Sequence, residues 1–323
     1  MARPDFLIDL PHGITVVDTG FERERFDAAY LLVDGGRAAF IDTGHNAAVP
    51  RLLAALEHAG LAPEQVDWVI PTHVHLDHAG GAGLLMRHLP QARLLVHPRG
   101  APHMIDPGAL VAGATAVYGE EVMQRTYGRI EPVDEGRVVA SHDGMQVEVG
   151  TRRLTLADTP GHARHHHCVW DEASRGWFTG DTFGISYREF DADGQPFIFA
   201  TTTPVQFDPP ALRASIGRLL ARGPECVYLT HFAALGNVQA LGLRLLEQID
   251  AIEHLAAGIA LPAGAERHAA LVDGMSRILI ERARLDRLGM SEVHARELLA
   301  LDIQLNAQGI GIWMDRSRQQ AAR

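Results

Sequence analysis

The stretch Val66-Asp67-Trp68-Val69-Ile70-Pro71-Thr72-His73-Val74-His75-Leu76-Asp77-His78 decides the reading of this chain. Val66 to Ile70 has the apolar, β-branched character of a buried strand, and Pro71 ends it. The polar run that follows therefore sits in a loop at the strand's C-terminal end, where α/β sheets place their ligands. His73 and His75 stand two apart, so an extended or tightly turned backbone brings both to one side. Asp77 and His78 then address a second point close by. Imidazole nitrogen and carboxylate oxygen suit Zn²⁺ first, with Fe or Mn as alternatives. With 18 histidines the chain yields chance pairs easily, and a polar surface loop is the bland alternative. Four ligand residues in this order weigh against it.

Outward from this loop, the chain alternates strand and helix, the pattern of an α/β protein. Gly13 to Val17, Ala28 to Val33 and Ala38 to Ile41 read as strands before Asp42-Thr43-Gly44, and Leu52, Leu53, Leu56 and Ala59 mark a helix face. Pro98 to about Gly128 is helical in spacing, and Val138 to Asp158 returns to short strands. Phe178 to Phe207, rich in aromatic residues, Thr and Pro, reads as an insertion lying over something. After about Ala234 only helical periodicity remains, with helices expected near 237–258, 265–288 and 291–307. The expected division is an α/β catalytic domain over 1–235 and a helical region over 236–323.

A metal centre needs more ligands than one loop supplies. Three further positions repeat the arrangement of strand, turn and ligand. His162 follows Leu154–Ala157 through Thr159-Pro160-Gly161, Asp181 follows Gly176–Thr179 through Gly180, and His231 follows Cys226–Leu229 through Thr230. Each alone is weak, but the repetition raises them together.

In that order the motifs HxHxDH, TPGH, TGD and LTH resemble the metallo-β-lactamase superfamily, its glyoxalase-II-like branch in particular. The similarity covers roughly residues 10–235, and Ile41-Asp42-Thr43-Gly44 matches the superfamily's early Asp-bearing turn. The resemblance implies an α/β fold, a four-layered αβ/βα sandwich, here with a C-terminal helical appendage. It also implies two divalent metal ions. His73, His75 and His162 would hold the first, Asp77, His78 and His231 the second, and Asp181 would bridge them. Two such ions would lower the pKa of a shared water towards neutrality, and Asp77 would orient the nucleophile. Asp77 and Asp181 are thus the expected catalytic residues.

Within the branch, the resemblance leaves the substrate open. A glutathione thioesterase usually uses lysines in its C-terminal helices, and all 29 basic residues here are arginine. An acyl-homoserine lactonase often carries a tyrosine soon after the bridging Asp, and none occurs before Tyr187. A persulfide dioxygenase uses one iron, whereas the ligand set here is complete for two. A small-molecule-binding regulator with vestigial hydrolysis is the reading from another class. His166, four residues after His162, is expected either to support the ligands or only to pack. His165, His167, His97 and His103 read as structural, and Arg99 and Arg164 as solvated.

The formal net charge is −11 without a basic cluster, which speaks against a nucleic-acid partner. No stretch approaches the roughly 20 apolar residues of a membrane helix, and no signal peptide is expected. Cys168 and Cys226 stand in apolar runs, out of any metal or redox spacing. The expectation is a soluble cytoplasmic protein with a small-molecule substrate. Leu298, Leu299, Ile303 and Leu305 serve either a homodimer face or the chain's own core.

Overall fold

The computed structural model describes residues 3–192, 194–202, 205–285 and 290–321. Two compact units emerge. The first comprises residues 1–158, 165–180 and 224–234, and the second comprises 159–164, 181–223 and 235–323.

The first unit is built on two sheets. One has seven strands in chain order: β1 (Leu7–Leu10), β2 (Ile14–Asp18), β3 (Ala28–Asp34), β4 (Arg37–Ile41), β5 (Val66–Ile70), β6 (Arg93–Val96) and β7 (Val138–Ala140). Its first four strands pair antiparallel, and β4 through β7 pair parallel. The second sheet holds β8 (Gln146–Val149), β9 (Arg152–Asp158), β10 (His167–Asp171), β11 (Gly176–Gly180), β12 (Cys226–Leu229) and β13 (Ala233–Leu235). There β8 to β11 run antiparallel and β12 joins β11 in parallel.

The two-residue period of a strand explains how the first sheet is covered. In β3, Ala28, Tyr30 and Leu32 pack with Leu154, Leu156, Val169 and Phe178 of the second sheet. Ala29 and Leu31 turn the other way, onto Leu52, Leu56, Leu85 and Met86 of the helices Val49–His58 and Ala82–His88. Both faces are therefore apolar, which is why β3 reads as a continuous hydrophobic run. Within the second sheet, Arg152 at the start of β9 and Asp171 at the end of β10 form a buried ion pair with N···O at 2.5 Å.

The second unit carries the helices Pro209–Ala221, Val238–Gly258, Ala265–Leu285, Glu292–Leu298 and Ala300–Ala321. Asp208 caps the first of these, accepting the Ala211 N–H at 3.1 Å. The single helix expected near 291–307 is two, because Leu299 leaves helical geometry at φ −92° and ψ 4° before the chain resumes and runs on to Ala321. Of the segment Phe178 to Phe207 expected as an insertion, Phe178–Gly180 belong instead to β11 of the first unit, and the described residues from Asp181 on pack within the second unit. Phe190 stacks on Phe197 at 4.7 Å. Gln248 donates to the Ile198 carbonyl and accepts from the Ala200 N–H, and Asn306 accepts from the Thr202 backbone and hydroxyl. No helix among the described residues is long and apolar enough to cross a membrane.

Candidate metal centre

The polar side chains of the first unit gather where its parallel strands end. Strand β4 delivers Asp42, β5 delivers Thr72 and His73, and β12 delivers Thr230 and His231. Asp42 is buried and adopts a left-handed φ of 55°, which turns its carboxylate across the strand ends. Its Oδ1 accepts the Thr72 N–H at 2.6 Å, and its Oδ2 accepts the Thr230 hydroxyl at 2.7 Å. The Thr72 hydroxyl also reaches it at 3.0 Å. Two Thr-His dipeptides on different strands are thus tied to one carboxylate.

The same Oδ2 lies 3.0 Å from His78 Nδ1. A carboxylate can only accept, so Nδ1 carries the proton and Nε2 presents its lone pair. His231 is set in the same way, its Nδ1 donating to the Phe26 carbonyl at 3.1 Å. Both Nε2 atoms then face Asp77 Oδ2, at 3.7 Å from His78 and 3.4 Å from His231. Ligand atoms of Asp77, His78 and His231 all lie within 4.8 Å of one another, the donor set and spacing a divalent ion takes. Asp77 sits in the first turn of the short helix Leu76–Ala79, its side chain 24% exposed, while His78 is fully buried.

His73 and His75 converge beside this trio. His73 Nε2 and His75 Nδ1 are 2.7 Å apart, and the His73 ring lies 4.0 Å from that of His78. His166 stacks on His73 at 4.9 Å. His165, expected to be structural, also lies against the cluster, edge-on to His75 at 5.5 Å. Gly180, at φ 47°, makes room behind them, since a Cβ there would fall 2.6 Å from His166 Nε2 and 2.5 Å from Thr72 Oγ1.

His162 and Asp181 belong to the second unit and face each other, Nε2 to Oδ2, at 3.4 Å. Gly161 sets His162 on its turn, its carbonyl accepting the Asp208 N–H at 2.8 Å. The Tyr187 hydroxyl donates to both oxygens of Asp302 at 3.0 Å, within the same unit.

Several residues of the first unit escaped the sequence reading. Asp42 stood there only as part of a turn, and nothing marked Phe26 or Asp27. Asp27 is fully buried, with Thr19 donating to Oδ2 at 2.8 Å, and burial pushes its carboxyl up to about 7 against the pull of His231 and His78. The one signal that could have exposed Asp42 is the pair of Thr-His dipeptides, Thr72-His73 and Thr230-His231.

Residues 23–231 match the family model described as the Metallo-beta-lactamase superfamily. The chain belongs to the metallo-β-lactamase superfamily. Its two mixed sheets with helices are the αβ/βα sandwich of that family, with helices at the C-terminal end of the sequence. Among curated relatives, the metallo-beta-lactamase fold-containing protein ST1585 of Sulfurisphaera tokodaii is 27% identical over 172 residues, 52% of this chain and 61% of that protein. Hydroxyacylglutathione hydrolase of Salmonella paratyphi A is 30% identical over 152 residues, 47% of this chain and 45% of that protein. The match thus spans about half the length of these relatives. The crystal structure of ST1585 from Sulfolobus tokodaii superposes with a TM-score of 0.63 at 21% identity, over 93% of this chain and 99% of that one. This metallo-β-lactamase-family chain therefore carries the fold together with a His/Asp cluster of metal-ligating composition.

Proposed function

We propose that this chain is a hydrolase that holds two divalent metal ions, Zn²⁺ first, and cleaves a small ester, thioester or lactone. The observation that carries the reading is the arrangement of His78 and His231. Each has Nδ1 held from behind, and each turns Nε2 to the same carboxylate, Asp77. That is how a protein presents neutral imidazoles to a cation. Asp77, His78 and His231 form one ligand group in this proposal, and His73, His75 and His162 form the other. Asp181 would serve both. When bound, such ions acidify water and polarise a carbonyl. Asp77, the partly exposed member of its trio, orients the water for attack.

A thioester is the substrate class the comparisons favour, through the likeness to hydroxyacylglutathione hydrolase. The Tyr187–Asp302 hydrogen bonds count against a lactonase in which that tyrosine serves the substrate. Cys168 and Cys226, neither of them in a disulfide, fit work in a reducing cytoplasm. The test is a screen of the Zn²⁺-loaded protein against thioesters, lactones, phosphodiesters and glutathione persulfide, with His78→Ala as control. Turnover of a carbonyl ester class that falls at least 100-fold in the control supports the reading. Equal turnover by the control, or activity on the persulfide alone, overturns it.

A further inference from the structure

His45 is a buried histidine of the first unit that the proposed reaction leaves unused. It follows the turn Asp42-Thr43-Gly44, and only 7% of its surface is open. Backbone bonds clamp this turn to the helix that carries Asp77. Thr43 donates its N–H to the His78 carbonyl at 2.7 Å and its hydroxyl to the same oxygen at 3.0 Å. The Gly44 carbonyl accepts the Gly81 N–H at 2.8 Å. Gly81 packs so closely that a Cβ there would fall 2.8 Å from the His45 carbonyl oxygen. His45 is thereby held in place relative to Asp77.

Its side chain closes an arc of rings that starts at His231. Phe26 lies 5.4 Å from His231, Phe21 lies 5.9 Å from Phe26, and His45 lies 5.4 Å from Phe21. At one end of the arc His231 Nε2 faces Asp77 Oδ2 at 3.4 Å. At the other end, the charge that acts most on His45 is again that of Asp77. Neither ring nitrogen of His45 has a hydrogen-bond partner among the described residues, and Nδ1 is sealed from solvent whereas Nε2 is not. An orphaned buried N–H is rarer than an orphaned acceptor, so the proton belongs on Nε2. Burial keeps the ring neutral against the pull of Asp77. The result is a fixed, neutral N–H donor beside Asp77 with no acceptor of its own.

In the hydrolysis proposed above, bound ions polarise the carbonyl and Asp77 orients the water. The departing oxygen or sulfur is left without a protein partner, although negative charge grows on it as its bond to carbon breaks. We propose that His45 touches the substrate there, its Nε2–H donating a hydrogen bond to the departing atom. The water oxygen bonds to the carbonyl carbon, and the departing atom leaves with the electron pair of the broken bond. The proton it finally takes comes from the water, and His45 keeps its own. This role rests on the hydrolytic reading of the centre.

Two readouts test it. The first compares kcat/KM for S-(4-nitrophenyl) thioacetate, whose thiolate leaves readily, with that for S-ethyl thioacetate, whose thiolate needs help, in the Zn²⁺-loaded full chain. A ratio taken within one protein does not depend on the fraction folded. His45→Phe, which keeps an aromatic partner for Phe21, should widen the ratio at least about tenfold, and His45→Gln, which restores a donor, should reverse most of that change. A ratio unaltered in His45→Phe, whether turnover falls for both substrates alike or for neither, overturns the proposal. The second readout needs no turnover. In ¹⁵N-histidine NMR of the metal-free chain, the signal missing from His45→Phe should be that of an Nε2–H imidazole, and it should shift when 4-nitrophenol, the oxygen analogue of the departing group, is added. An Nδ1–H imidazole, or one indifferent to the phenol, overturns the proposal equally. If neither thioester is hydrolysed, the hydrolytic reading fails, and the NMR result alone decides whether His45 meets such a group.

Discussion

The carboxylate of Asp42 accepts a hydrogen bond from His78 Nδ1 at 3.0 Å, where neither side chain reaches solvent. That one contact fixes the tautomer of a residue whose other nitrogen faces Asp77. Asp42 also gathers Thr72 and Thr230, so the ends of β5 and β12 hang on the same two oxygens. Replacing it with Asn exchanges an acceptor for a donor at several of these contacts. We expect Asp42→Asn to weaken Zn²⁺ binding at the His78 position about 10- to 100-fold. Competition with a chromophoric chelator measures it. Unchanged affinity would show that His78 orients without help.

Gly180 tests how tightly the histidines are stacked. A methyl group there meets Thr72 Oγ1 and His166 Nε2 well inside contact distance, at a φ that side chains disfavour. Gly180→Ala should cost about 1–3 kcal/mol of stability and lower metal affinity with it. Thermal unfolding of the metal-free protein separates the first effect from the second. A Tm equal to wild type would mean that His166 moves aside freely.

The Arg152–Asp171 pair governs acid sensitivity. Burial alone would raise the Asp171 carboxyl, but hydrogen bonds from Arg152 and Ser174 and the Arg152 charge hold it below 3.8. A depressed carboxyl adds stability above its unfolded value, and this is lost as pH falls through the folded one. The loss therefore lies below about pH 3.8. Arg152→Met strands a buried carboxylate and should destabilise the protein by about 3–5 kcal/mol at neutral pH. Urea denaturation of both proteins at pH 7 checks the size, and a comparison of wild type at pH 7 and pH 3 checks the sign.

His167 contributes in a different window. Burial moves its imidazole from 6.5 to about 3, so between those values the unfolded chain binds a proton that the folded chain refuses. This part of the stability is complete above 6.5 and is lost as pH falls towards 3. Its slope is that of one proton, and His167→Gln should remove it from the stability profile of metal-free protein between pH 6.5 and 4. An unaltered slope in the variant would contradict the neutral, buried state.

The ligand-bearing strand ends were legible because each is a short apolar run that stops at a turn and a polar residue. That pattern is local, and His73, His75, Asp77, His78 and His231 meet as it implied. Asp42 was not legible in its role. Its partners lie 30, 36 and 188 residues away, and no local pattern says which carboxylate will sit under which histidine. The break at Leu299 was hidden for the opposite reason, since apolar spacing continues across it while the backbone does not. Tyr187 was noticed, but its partner Asp302 comes from the helix Ala300–Ala321, 115 residues on.

The most direct test of the proposed metal-dependent hydrolysis is elemental analysis of protein purified without chelator or added metal, wild type beside His231→Ala. Two tightly held ions per wild-type chain are expected, and one in the variant, with hydrolysis reduced at least 100-fold. A wild-type chain with one ion or none, or a variant that keeps both its ions and its turnover, would contradict the account.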